Sequence, residues 1–383
     1  MKFYLTLKDL DVIDNSYRLG LDQYFANTGR NVGNLVFRAG LSSIISDISE
    51  YKRITLSDLT NDPNIYTQAT QVIVSCANWL GDSAMHDRVN ATRLRLFEKF
   101  NCPVIPFGIG IQSSLSSESV EFGKNTLEFA KLLGRQCPQI SARCSLTKST
   151  LARYGIDNVV VTGCPSNFIN LNLIPDSYKR VKGPKLHSKK ISCLISEATS
   201  GNDLTDEFIP RIFSILENTP SKYALQVMPL IELIYGAKDA VPPLYSKNSI
   251  YKSDARTLNF LKDKSVVFSS VPEWLFFARR FDLCFGMRMH GSMIGLQSGV
   301  PTVIIFHDSR TKALADEMNI PRISIEDFCT IEPDQIYKQI HDIFFESVNN
   351  YFSRRKELSS VFLNFLKDAG LQPSSDFQKY VES

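Results

Sequence analysis

An arginine and a histidine stand two residues apart in GMRMHG, residues 286–291. Arg288 offers a planar, permanently charged fork that matches a carboxylate or a phosphate. His290, one of five histidines in the chain, exchanges a proton near neutral pH. Gly291 permits close backbone approach. Ser292 follows in a helix-like stretch whose first N–H groups attract an anion. The apolar run FDLCF before the pair reads as a buried strand. The pair therefore falls at a strand's carboxyl end, where open parallel sheets bind ligands. In an extended backbone, Arg288 and His290 would point to one side. On these residues alone two readings stand: a salt-bridged strand end with a capping histidine, or an anion site with a proton donor.

Elements on both sides must position such a pair. In the first half, QVIVSC (71–76), CPVIPFGIGIQ (102–112), ISARC (140–144) and NVVVTG (158–163) read as strands. Their near-continuous apolar character suits parallel strands buried on both faces. Helices are expected at 87–100, 116–134 and 145–155. Ser116 or Ser117 would cap the second, with Glu118 and Glu121 in its first turn. Residues 172–190, rich in Pro, Gly and Lys, read as a linker. The pattern then restarts with strands at 190–196, 223–228, 265–270, 282–286, 301–306 and 322–325, separated by helices. The expected fold class is α/β, with two doubly wound Rossmann-like domains facing across a cleft and a C-terminal helix. The domains are expected at 1–175 and 190–345, with a helical tail at 346–383. In that tail Leu358, Val361, Phe362, Phe365 and Leu366 form one apolar helix face.

Composition sets further bounds. The chain has 383 residues, more than one ordinary core holds, and 22% of them are charged. The net charge of +3 and the lack of a dense basic run give no sign of nucleic acid. Eight cysteines without a C-x-x-C pair read as buried free thiols in a reducing compartment, and no metal is expected. MKFYLTLKDLDVID has too short an apolar core for a signal peptide, and no run approaches a membrane span. A cytoplasmic protein is expected, with contact at the inner membrane face left open.

The segment GMRMHGSMIGLQSGVPTVIIFHDSRTKALADEMNIP (286–321) resembles the polysaccharide pyruvyl transferase family. Weaker echoes lie in NTGRNVGNLVFRAGL (27–41), PVIPFGIGIQ (103–112) and ISARCSLTKSTLARYGIDNVVVTGCPSNF (140–168). The turn HGSMIGLQSGVP is also similar to the second-domain turn of GT-B proteins. Retaining nucleotide-sugar transferases often carry a ribose-holding Glu seven residues before that Pro, where this chain has Ile294. The resemblance implies a GT-B-like fold. It also implies transfer of the enolpyruvyl group of phosphoenolpyruvate to a sugar, giving a pyruvate ketal in cell-surface glycan synthesis. The family's donor-binding arginines and histidine match Arg143, Arg288 and His290. Where many relatives show Gly-Asp-Pro this chain has Gly-Cys-Pro, so no aspartate role carries over to Cys164.

The residue types suit that reaction. Two arginines and a helix N-terminus would balance the donor's negative charge, so no cofactor beyond the co-substrate is implied. His290 would protonate the methylene carbon or the departing phosphate. Asn31, Gly33 and Asn34, in a turn before a helix, are donor or acceptor contacts or merely turn and cap. Asn78, Trp79, Asp82, His86 and Asp87 follow a strand where an acceptor sugar, lipid-linked or free, would sit. Gln112 ends another strand. His307 and Asp308 follow TVIIF, and Lys312 lies one turn on, where the family often has a Lys. His187 and His341 read as linker and surface residues. Tyr24, Phe25, Trp79 and Trp274 are stacking platforms or core. Two alternatives remain open: a GT-B glycosyltransferase using an activated sugar, and a non-catalytic glycan- or anion-binding protein.

Overall fold

Two parallel sheets carry the chain. The structure, a computed structural model, describes residues 1–6, 10–113, 120–199, 204–236 and 255–383. The first half holds β1 (Lys2–Leu5), β2 (Lys52–Ile54), β3 (Gln71–Ser75), β4 (Leu80–Gly81), β5 (Val104–Phe107), β6 (Ile111–Gln112), β7 (Ile140–Ala142) and β8 (Val159–Val161). Its main sheet has the order β2-β1-β3-β5, all parallel. A parallel bridge from Ile109 to Ala142 links the β7–β8 pair to the chain leaving β5. The second half holds β9 (Cys193–Ser196), β10 (Lys222–Ala224), β11 (Ser265–Val266), β12 (Leu283–Gly286), β13 (Thr302–Phe306) and β14 (Arg322–Ser324). These form one parallel sheet in the order β11-β10-β9-β12-β13-β14. That is a doubly wound order with its switch point between β9 and β12. β5, β9 and β12 are buried at every residue, as their unbroken apolar runs require.

Local chemistry differs from expectation in three places. The helix expected over 116–134 runs instead over Lys124–Gln136. Ser116, Ser117 and Glu118 lie outside the described residues, and Glu121 precedes the helix. Its first N–H groups are met from another helix: Asp87 accepts from Thr126 N at 2.9 Å and Asn125 Nδ2 at 2.8 Å. Those bonds, the first foremost, hold the Asp87 carboxyl below its ordinary range. Second, β1 and β2 arise where no strand was expected. Third, His341 is buried rather than on the surface, its ring against Phe345 and Nδ1 3.0 Å from Asp342. Trp274, Tyr24 and Phe25 are core residues; Trp274 stacks on Phe268 at 5.0 Å.

One helix, Ile336–Asp368, runs unbroken through residue 346 and ties the two halves together. Phe344 packs on Tyr178, while Phe362 stacks on Phe107 of β5. Between them Arg355, wholly buried, donates to the carbonyls of Asn167 and Asn170, both at 2.8 Å. Tyr351 bonds Asn167 at 2.7 Å and receives Gln297 Nε2 at 3.1 Å. A leucine at position 355 strands two buried carbonyls, so Arg355→Leu is expected to cost about 2–3 kcal/mol, read as a lowered thermal midpoint. No helix among the described residues is long and apolar enough to cross a membrane.

Candidate active site

The carboxyl ends of both sheets open on one cleft. β12 stops at Gly286, and Arg288 becomes the N-cap of the Met289–Gln297 helix. Its backbone N–H donates to Ser196 Oγ, at the end of β9, at 3.2 Å. The pair thus spans the switch point of the second sheet. His290 lies in the first helical turn, so it and Arg288 do not share one extended face. No side chain caps this helix, and its leading N–H groups are left for a ligand.

Close packing holds this helix start against the first half. The helix Gly33–Ile44 begins where a Cβ on Gly33 would come within 3.0 Å of the His290 Cβ and 2.9 Å of Gln226 Oε1. A Cβ on Gly291 would come within 2.5 Å of Gln226 Nε2. Only glycines let the two helices and Gln226 meet so closely. Gly33 and Gly291 therefore shape the wall without presenting a side chain.

From the first half comes Arg143, 7% exposed, at the end of β7. Nη1 donates to Asn78 Oδ1 at 3.2 Å, and the guanidinium lies 5.1 Å from the Phe37 ring centroid. Its Nε and Nη2 are buried and meet no acceptor among the described residues. Arg288 Nε and Gln226 Nε2 are likewise unmet. Arg310 adds a third guanidinium, 3.4 Å from Asp308 Oδ2. Asp308 also caps the Ser309–Glu317 helix through Thr311 N at 2.6 Å. On the other side His307 bonds Thr199 Oγ1 and lies 3.5 Å from Asp308.

The electrostatics follow from this crowd of cations. Burial, then Arg143 and Arg310, push the His290 imidazole down to about 3. Burial chiefly lowers His307 and His86 as well. His290 is therefore neutral at pH 7 in the free protein, and donation near neutrality requires an anion to offset the arginines. Cys164 Sγ lies 3.7 Å from His290 Nε2 and takes a 3.1 Å hydrogen bond from Ser166. A thiol thus neighbours His290. The sign for stability is plain: the unfolded chain binds a proton near pH 6.5 that the folded His290 refuses, so stability is lost as pH falls below 6.5. Between pH 6.5 and 5, above most carboxylate titration, thermal unfolding of His290→Asn should show a shallower pH slope than the parent.

The remaining candidates divide. Asn31, Asn34, Asn78 and His307 line the cleft with Arg143, Arg288 and His290. Ser292 is buried behind it, 1% exposed. Asp82 and Gln112 are exposed and do not line it. Lys312 also stays outside, its ammonium 2.7 Å from Asp316 on the solvent side of its helix. Two residues earlier, Arg310 holds the inward position. Trp79 does not reach the cleft either. Arg93 covers one face of its ring at 4.0 Å, and Phe97 and Phe129 contact it elsewhere. Ile294, where a ribose-holding Glu would stand, is core. Arg310, Gln226 and Thr199 were not anticipated; each sits beside a strand end or helix start without a motif of its own. All eight cysteines are free, and seven are buried.

Similar folds among solved structures include a putative UDP-N-acetylglucosamine 2-epimerase from Listeria monocytogenes. It is 11% identical over 82% of this chain and 80% of that one, with a TM-score of 0.44. The MnaA–UDP complex of S. aureus is 12% identical over 88% and 95%, with a TM-score of 0.46. At such distances these likenesses say nothing of what this chain binds. The comparison with curated proteins gives no match. The sequence profile of polysaccharide pyruvyl transferases, by contrast, matches residues 13–309, which include the cleft's lining residues except Arg310, Thr311 and Leu314. The chain belongs to the polysaccharide pyruvyl transferase family.

Proposed function

We propose that the protein transfers the enolpyruvyl group of phosphoenolpyruvate to a sugar of a cell-surface polysaccharide or its lipid-linked precursor. The product is a pyruvate ketal, and phosphate is released. One observation carries the reading: buried Arg143, with Nε and Nη2 unmet among the described residues, lines a cleft that also holds Arg288, Arg310 and His290. Such a site is costly to keep without a compact polyanion, because desolvated cations repel one another. Phosphoenolpyruvate presents a carboxylate and a phosphate on a three-carbon frame, and each matches a guanidinium fork.

The chemistry proceeds in balanced steps. Docking of the polyanion offsets Arg143 and Arg310, so His290 takes up a proton. The C2=C3 electron pair takes that proton at C3, making a methyl group and leaving C2 electron-poor. A sugar hydroxyl oxygen bonds to C2 and gives up its proton to the now neutral His290. The C2–O bond to phosphate breaks, and phosphate leaves with the electron pair, held by Arg288 and the uncapped helix start. A second hydroxyl closes the ring on C2, its proton leaving with phosphate. Action on a lipid-linked acceptor would place the protein at the inner membrane face.

Incubation with phosphoenolpyruvate and a glycan panel tests the reading. Expected is one phosphate released for each pyruvyl group gained, by mass spectrometry. In a thermal-shift comparison, stabilisation by UDP, GDP or CMP with none by phosphoenolpyruvate would overturn it.

A further inference from the structure

A second cavity opens at the carboxyl ends of β1 and β3. The strand order β2-β1-β3-β5 reverses direction there, so this cavity occupies the switch point of the first sheet, the general ligand position in such sheets. Leu5 and Thr6 leave β1 into it, and Ser75 and Ala77 leave β3. Asn34 and Ala77 line both this cavity and the arginine-rich cleft. A molecule seated in the second cavity thus adjoins the first.

Among the described residues, its wall carries a cation without a carboxylate partner. Arg93 lies 4.0 Å over the Trp79 ring, with Nη1 held by Asn90 Oδ1 at 2.8 Å and Trp79 O at 3.3 Å. Nε is buried and meets no acceptor among the described residues. No carboxylate stands among the described lining residues. Arg38 lies on the same wall, its guanidinium bonded to the carbonyls of Asn34 and Asn27. Burial pushes Arg93 down to about 10, opposed only in smaller part by the Cys76 thiol. The fork is thus held in orientation and desolvated, and no carboxylate among the described residues pairs with it.

We propose that this cavity binds the acceptor sugar, and that the sugar carries an anionic group, a carboxylate or a phosphate, which Arg93 receives. The proposal rests on the transferase reading and narrows its acceptor. Trp79 is a positioning residue here: its ring holds the guanidinium, and its covered face is not open to stack a sugar. Asn34 and Ala77 mark the passage through which the sugar's hydroxyl pair reaches the electron-poor carbon.

Acceptor kinetics with phosphoenolpyruvate test this, using uronic acid glycosides, glycosyl phosphates and neutral hexosides as three arms. At least one charged arm should be turned over with a KM about 30-fold below the neutral arm, the worth of one charge-assisted hydrogen bond. The arm that responds tells carboxylate from phosphate. Arg93→Gln should raise that KM by a similar factor, Arg93→Lys should restore part of it, and phosphoenolpyruvate affinity by calorimetry should not move. Neutral sugars used as well as charged ones, or an unchanged acceptor KM in Arg93→Gln, would overturn the proposal alone. Failure of the parent protein to bind phosphoenolpyruvate would overturn the transferase reading together with it.

Discussion

His290→Ala lowers the turnover of ketal formation by about 10²–10⁴-fold, the range for losing a positioned acid, while the fold is kept. His290 stands in the first turn of the Met289–Gln297 helix, at the switch point of the second sheet, with Arg143 and Arg310 close enough to depress its pKa. In the proposed function Arg143, Arg288 and the helix N–H groups hold the anion, so binding of phosphoenolpyruvate should survive the change within a few-fold while chemistry does not. Steady-state phosphate release with calorimetric donor binding separates the two effects. An alanine variant within threefold of the parent turnover would remove the acid role. The same logic predicts that donor binding near pH 7 takes up a proton, seen as a binding heat that depends on the buffer.

Arg143→Met weakens phosphoenolpyruvate binding by about 10²–10³-fold, comparable to removing one preorganised donor from a charged site. Arg143→Lys does not restore it, because an ammonium cannot present two parallel N–H groups in the place of Nε and Nη2. The fold should not suffer. Among the described residues only Asn78 Oδ1 loses a hydrogen bond, and a desolvated cation leaves the interior, so the thermal midpoint stays level or rises. Removing this charge also raises the His290 pKa, since Arg143 is the second cause of its depression. Calorimetry on both variants, with the imidazole followed by NMR, reads all three effects. Unchanged donor affinity in Arg143→Met would mean that the cleft holds its anion elsewhere.

The second-half sheet was readable because its central strands β9, β12 and β13 are near-continuous apolar runs between helical segments, and a buried parallel sheet demands that pattern. β1 and β2 were not: KFYL and KRI are short, and β2 exposes two of its three residues. β1 becomes a strand by pairing with β3, and β2 by pairing with β1, contacts no local pattern announces. Arg143, Arg288 and His290 could be singled out by type and by their place after strands or through resemblance. Arg310 could not, because the rotation of the Ser309–Glu317 helix decides whether it or Lys312 faces inward. Two residues on a helix lie about 200° apart, so Lys312 points to solvent and Arg310 to the cleft. Gln226 and Thr199 escape notice for the same reason: their role comes from the meeting of two halves. Cys164 was visible only as a missing aspartate, and its approach to His290 appears once both halves are in place.

The most direct measurement of the central claim is the isotope content of the product formed in D₂O. If His290 delivers a solvent-exchanged proton to C3 of phosphoenolpyruvate, the ketal methyl carries one deuteron, and His290→Ala slows its appearance together with phosphate release. A product that keeps an enol ether, or a sugar modified without phosphate release, would contradict the account.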